Sequence, residues 1–133
     1  MRFAKEMIEA KKKLEKMGHD VEIPSDTQKF IDDPNFTTDN HEANYKHAIE
    51  TDVMRWCFNE IADRDAILVL NYQKNGIPGH LGTSVLMEIA LAFYLKKKIF
   101  LLNHPSDVKK EKSTHEVLLM HPIILNGDLS KLK

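Results

Sequence analysis

Cysteine is all but missing from this chain. Cys57 stands alone, so no disulfide framework holds the fold, and a reducing compartment, by default the cytoplasm, is expected. Excess charge of either sign is missing too. The formal net charge is −1, which excludes a global field that would draw the chain to a nucleic acid polymer or an anionic membrane. No apolar run reaches the roughly 18 residues that a membrane span requires, and no secretory leader pattern is visible. The lysine clusters (Lys11–Lys13, Lys96–Lys98, Lys109–Lys110) sit beside acids or at expected helix ends and read as solvated faces and dipole partners.

Metal and nucleotide signatures are equally scarce. Among the seven histidines, His41 and His47 are six apart, as are His115 and His121. Neither spacing is the i, i+4 pair that one helical face needs to hold a metal. No metal and no cofactor are expected. Gly76-x-x-Gly79-x-x-Gly82 lacks dinucleotide-fingerprint spacing, and no Gly-Lys-Ser/Thr follows to make a phosphate loop. Ser84 lacks the surroundings of a nucleophile elbow. Repeats and low-complexity tracts are absent.

What is present is an ordinary globular composition, 42% hydrophobic and 29% charged over 133 residues, enough for one domain spanning 1–133 with a real core. Residues Arg2–Met17 carry apolar positions at helical spacing, with Gly18 as the stop. Val21–Ile23 reads as a short strand ended by Pro24. Ser25–Asn40 is polar and reads as a loop, either a lid or a surface connection. Asp39 and Glu42 have capping-box spacing at the head of one long helix from about Asn40 to Ala62, in which Trp56 and Cys57 are core members. Strands are expected near 20–23, 66–70, 98–102 and 122–125, with a helix from Ser84 capped by Thr83 or Ser84. After the last strand, Asn126-Gly127 reads as a turn, and Asp128 as the cap of a final helical turn.

This alternation predicts an α/β fold, a Rossmann-like or flavodoxin-like three-layer sandwich on a parallel sheet. It also predicts a gap. A parallel crossover needs a strand before its helix, and only Met1 precedes Arg2. In a doubly wound sheet of order 2-1-3-4-5 that first strand is central. Either the sequence starts late, or another segment or subunit closes the gap.

Ligands of open parallel sheets sit beyond the carboxyl ends of the strands, and Asn71 to Gly82 follows such an end. The stretch from Asn71 to Leu102, NYQKNGIPGHLGTSVLMEIALAFYLKKKIFLL, holds three of the five glycines. From Ser84 to Leu95 it is apolar almost all round, and Glu88 is the ionisable exception. With Ser84, Leu91, Ala92 and Leu95 as face neighbours, Glu88 is expected to project from a buried helix about one turn from its positive end. An isolated buried carboxylate is costly, so it is either a structural acid bonded to amides or arginine, or a site. In a cleft it suits a nucleophile at a sugar carbon or a general base toward water. Asn71, Tyr72 and Asn75 supply polar groups that loop solubility explains nearly as well as ligand binding. His80 is either a ligand contact or an exposed loop histidine.

The run DAILVL (Asp65–Leu70), the Gly-rich loop, Gly82-Thr83-Ser84, and Glu88 followed by IALAFYLKKKIFLL resemble the nucleoside 2-deoxyribosyltransferase superfamily, which includes the deoxynucleoside-monophosphate N-glycosidases. MRFAKEMIEAKKKLEKMGHDVEIP resembles that family's first helix and second strand, and HPIILNGDLSKL the terminal segment of a small branch. The resemblance implies that Glu88 is the nucleophile at the anomeric carbon of a 2-deoxyribosyl N-glycoside, with a second base or water accepting the sugar. Glu88 is the residue carried over from the family; Asn71, Tyr72, Asn75, His80, Gly82, Thr83 and Ser84 are candidate substrate-binding residues by their place at the strand end and helix start, and Asn126 would correspond to an asparagine that reaches into a neighbour's site. Where the transferases tend to have an acid, six residues before the nucleophile, this chain has Gly82. The partners implied are a small nucleoside or nucleotide and further copies of the chain, as a homodimer or larger homo-oligomer. The alternative is a non-catalytic nucleotide-binding or regulatory module on the same fold.

Overall fold

In a computed structural model, residues 3–24, 27–32 and 41–132 are described. The chain clusters into two compact units, residues 1–57 and 58–133.

In the first unit, α1 (Ala4–Lys16) buries Ala4, Ala10 and Leu14, the apolar side of an amphipathic helix. Its end is a Schellman motif: Gly18 N–H bonds Glu15 O at 3.0 Å and His19 N–H bonds Leu14 O at 3.1 Å. Gly18 has a φ of 95°, the left-handed conformation that this closure requires. Val21–Ile23, expected as a strand, lies outside any strand. A short helix α2 (Thr27–Asp32) packs on α1 within the stretch read as loop; the Asp39 cap and most of the proposed lid lie outside the described residues.

The single long helix expected from about Asn40 to Ala62 is instead two, α3 (His41–Thr51) and α4 (Val53–Asp63). Between them Asp52 takes a φ of 49°. Local polar chemistry explains the break. Thr51 Oγ1 donates back to His47 O at 2.8 Å, and Asp52 Oδ2 accepts from Arg55 Nε at 2.9 Å. The first is the threonine back-bonding that bends helices, and the second ties side chains across the start of α4. Trp56 and Cys57 are half-buried rather than core.

The second unit contains a three-stranded parallel sheet in the order β1-β2-β3. These strands are β1 (Ala66–Val69), β2 (Lys98–Leu101) and β3 (Ile123–Ile124). Ala66 stands beside Lys98 and Val69 beside Leu101; Phe100 stands beside Ile123. The protein is thus mixed α/β, and three of the four expected strands form. Helix α5 (Thr83–Tyr94) joins β1 to β2 and packs on both, and α6 (Ser113–Leu119) leads to β3. Ile89 and Ala92 of α5, Ile99 and Leu101 of β2, Val117 of α6, Ile61 and Leu81 form the core. On the central strand, Phe100 and Leu102 are buried as well as Ile99 and Leu101. Successive side chains alternate faces, so β2 is covered on both, as its apolar run predicts. All four residues of β1 are only half-buried. Among the described residues β1 pairs on one side alone, and an edge position leaves it less covered than its sequence suggests.

Helix α5 ends with Lys96 at a φ of 60°, and Lys97 N–H bonds Ala92 O at 2.9 Å. This is a Schellman closure with lysine where glycine is usual. After β3, Asn126 and Gly127 both take positive φ, and Asp128 Oδ1 accepts from Ser130 N–H at 3.0 Å. The expected turn and cap are in place.

Leu101 is fully buried at the centre of the sheet. Leu101→Ala is expected to destabilise the fold by about 2–5 kcal/mol, read as a lowered denaturation midpoint with an unchanged slope.

Candidate functional site

The loops that leave β1 and β2 are tied together by one buried amide. Asn71, 2% exposed, donates from Nδ2 to Asn103 O at 2.7 Å and to Gly79 O at 3.5 Å. Its Oδ1 accepts from Asn103 N–H at 2.9 Å, and Asn103 Nδ2 returns a bond to Asn71 O at 3.3 Å. The ladder has ended here, so the strand-end groups need other partners. An asparagine offers both donors and an acceptor in one plane. These bonds engage both donors and the acceptor of Asn71 and make it a structural tie between the two strand ends.

Gly79 is the second fixed point. Its φ is 69°, and a Cβ there would overlap His104 O. Ser106 N–H bonds Gly79 O at 3.3 Å. Only a residue without a side chain lets the two loops come this close. Between these points Lys74 and Ile77 exchange backbone bonds around Asn75 and Gly76, both at positive φ. That turn accounts for Asn75, which is exposed at its corner. Tyr72 is half-buried.

His80 is neither free nor fully exposed. Its Nδ1 lies 2.7 Å from Glu111 Oε2, with the two side chains 24% and 16% exposed. This contact spans 31 residues, and no local pattern could announce it. Glu111, Ser106 and Thr114 join the site on structural grounds alone.

Helix α5 then begins at Thr83, and its cap is neither Thr83 nor Ser84. Gly82 is the N-cap, without a side-chain cap bond. Thr83 and Ser84 are exposed in the first turn. Glu88 is six residues further on, about 9 Å along the axis at 1.5 Å per residue. That is further from the positive end than its sequence position suggests. The helix is not buried all round: Met87, Phe93 and Tyr94 are exposed, because the sheet covers one face only. Glu88 sits at the margin of that face, beside the core residue Ile89. Its Ser84 neighbour is exposed, its Ala92 neighbour buried, and Leu91 half-buried. No described residue bonds or pairs with its carboxyl. Burial among apolar groups pushes its pKa above the ordinary value of 4.5, since desolvation disfavours the anion. The structural reading, a carboxylate satisfied by amides or arginine, finds no support among the described residues.

Asn126 is exposed at its turn. A cavity of about 410 Å³ lies in the first unit, lined by Ile8, Lys11, Glu15, Ile23 and Gln28 among others; no residue singled out from the sequence lines it. Among the described residues, no three His, Cys, Asp or Glu side chains gather as metal ligands, and no helix is long and apolar enough to cross a membrane. No family model, curated protein or solved structure matches the chain.

Two outcomes are expected. Asn71→Leu leaves the Asn103 N–H and carbonyl without their side-chain partner and should cost about 2 kcal/mol; Gly79→Ala, strained and overlapping, should cost a similar amount, both read by chemical denaturation. Glu88→Gln should raise the Tm at neutral pH. A raised folded pKa means folding favours the protonated form, so ionised Glu88 opposes folding. The gain should shrink as pH falls toward 4.5, where both states of the wild type become protonated; a gain that grows on acidification would contradict the burial argument.

Proposed function

We propose that this protein cleaves or transfers the N-glycosidic bond of a 2′-deoxynucleoside or deoxynucleotide, with Glu88 as nucleophile, on a Rossmann-like three-layer α/β fold. The observation that carries the reading is Glu88 itself: a half-buried carboxyl, unpaired among the described residues, on the helix that follows the carboxyl end of β1. A structural acid would have found a partner. A nucleophile needs its lone pairs free and its hydration shell thinned. The similarity of Asp65–Leu70, Gly82–Ser84 and Glu88–Leu102 to the nucleoside 2-deoxyribosyltransferases supplies the substrate class.

In this reading a Glu88 oxygen attacks C1′ and the base departs, leaving the 2-deoxyribosyl unit as an ester on Glu88. Water or a second base then takes the sugar from the opposite direction, so configuration is retained overall. We assign the polar groups of the substrate to Thr83 and Ser84, which are exposed in the first turn of α5, since a helix start favours an anion such as a 5′-phosphate. Function is expected in a homo-oligomer.

One observation favours a second reading. Desolvation biases Glu88 toward its neutral form, and a neutral carboxyl donates a hydrogen bond to a ligand better than it attacks carbon. A non-catalytic nucleotide-binding module would use it so.

The test is incubation with 2′-deoxynucleosides and their 5′-monophosphates, followed by chromatography for free base. Base release is expected, and Glu88→Ala should lower kcat by on the order of 10³-fold or more. Because attack requires the anion, activity should rise with pH through a midpoint above the ordinary glutamate value of 4.5. Ligand binding without base release would select the binding module. Release unchanged in Glu88→Ala would remove Glu88 from the site. Adding a second base separates transfer from hydrolysis.

A further inference from the structure

The loop ahead of α5 meets the loop after β2 in an acid–base pair that the reading above leaves unused. Glu111 Oε2 meets His80 Nδ1 at 2.7 Å, and its Oε1 accepts from Ser106 Oγ. Behind Ser106, Thr114 Oγ1 lies 3.3 Å away. Ser106 and Thr114 are both buried, so the hydroxyl that meets the carboxylate is itself held by a second one. The trio is not a serine nucleophile arrangement, because Ser106 bonds the carboxylate and not the imidazole.

An ionised carboxylate only accepts, so His80 carries its hydrogen on Nδ1, and Nε2 is the atom left for chemistry. No described residue bonds Nε2. The side chain is 24% exposed, open enough to meet a ligand. Its backbone is also held: neighbouring Gly79 is pinned by Asn71 and Ser106, and Leu81 on the other side is in the core. A histidine with a fixed tautomer, a fixed ring plane and a free Nε2 is what proton transfer at a set position requires. It lies two residues before the N-cap of the helix that bears Glu88.

We propose that His80, oriented by Glu111, is the group that protonates the departing base; this inference rests on the glycosidic reading of Glu88. In the first half-reaction the Glu88 carboxylate bonds C1′ while the C1′–N bond breaks, and its electron pair leaves with the base. The proton on Nε2 of the His80 imidazolium passes to a ring nitrogen of the base, leaving neutral imidazole with Nδ1–H still on Glu111. In the second, Nε2 takes a proton from the water whose oxygen bonds C1′. The ester to Glu88 breaks, the carboxylate is restored, and the imidazolium is regenerated. His80 is the catalytic residue here and Glu111 its positioning residue.

The experiment compares leaving groups. Turnover is measured on 2′-deoxyadenosine and its 5′-monophosphate, and on 4-nitrophenyl 2-deoxyriboside, whose nitrophenolate departs without a proton. His80→Gln is expected to lower kcat on the purine substrate by on the order of a hundredfold, against less than about threefold on the nitrophenyl substrate, with KM moved little. Glu111→Gln, which keeps an oxygen for Nδ1–H but not the charge, should show a smaller loss with the same leaving-group dependence. Circular dichroism and Tm establish that each variant is folded. Equal losses on both substrates, or none, would overturn the proton-transfer role while leaving Glu88 in place. A wild-type protein that releases neither base nor nitrophenol removes the glycosidic reading, and this role falls with it.

Discussion

The carboxyl end of this sheet depends on one side-chain amide. Asn71 and Asn103 are separated by 32 residues, and each follows a strand whose backbone ladder has just run out. By pairing with the Asn103 N–H and carbonyl, Asn71 continues the β1–β2 pairing by one step in side-chain form. Its remaining donor reaches Gly79 O and so sets where the long loop turns back. From that point the consequences run outward. Gly79 touches the backbone of 104–106, His80 comes to Glu111, Leu81 enters the core, and Gly82 caps α5. Moving any of these shifts the first turn of the helix that presents Glu88.

Glu88 is held in tension by that placement. The face of α5 that packs on the sheet gives the fold much of its apolar burial, and the carboxyl sits at its edge. Stability favours the neutral form there, while the attack on carbon that we propose needs the anion. Such opposition between folding and chemistry is typical of sites whose ionisable groups are shaped by their surroundings. His80 stands in contrast. Its partner is a carboxylate fixed from behind by hydroxyls, so its environment supplies charge where that of Glu88 withholds water.

Much of the sheet could be read in advance. Ala66–Leu70 and Ile99–Leu102 are short apolar runs bounded by polar residues, Asp65 and Asn71, Lys98 and Asn103, and such runs have few alternatives in a chain that alternates strand and helix. Gly18, Asn126-Gly127 and Asp128 signalled their turns because each does so by local backbone chemistry. The errors also have local causes. Asp52 looked like one more helical position, since its pairing with Arg55 supports a helix start as readily as a helix interior. Val21–Ile23 is β-branched but finds no strand partner among the described residues, and propensity without a neighbour makes no strand. The apolar sequence of α5 suggested burial on every side, whereas a layer covers one face. What no sequence pattern could give was the partnership of His80 with Glu111 and Ser106, because it is created by the approach of two loops.

The Asn71 tie has one more property. Every atom in it is formally neutral, so dissolved ions have no monopole to shield. Two of the described ion pairs around α3 and α4, Lys46 with Glu50 and Arg55 with Asp52, are solvent-exposed and weaken as ionic strength rises. Between dilute buffer and strong brine, then, the helices lose part of their electrostatic support while the junction of the strand ends keeps all of its own.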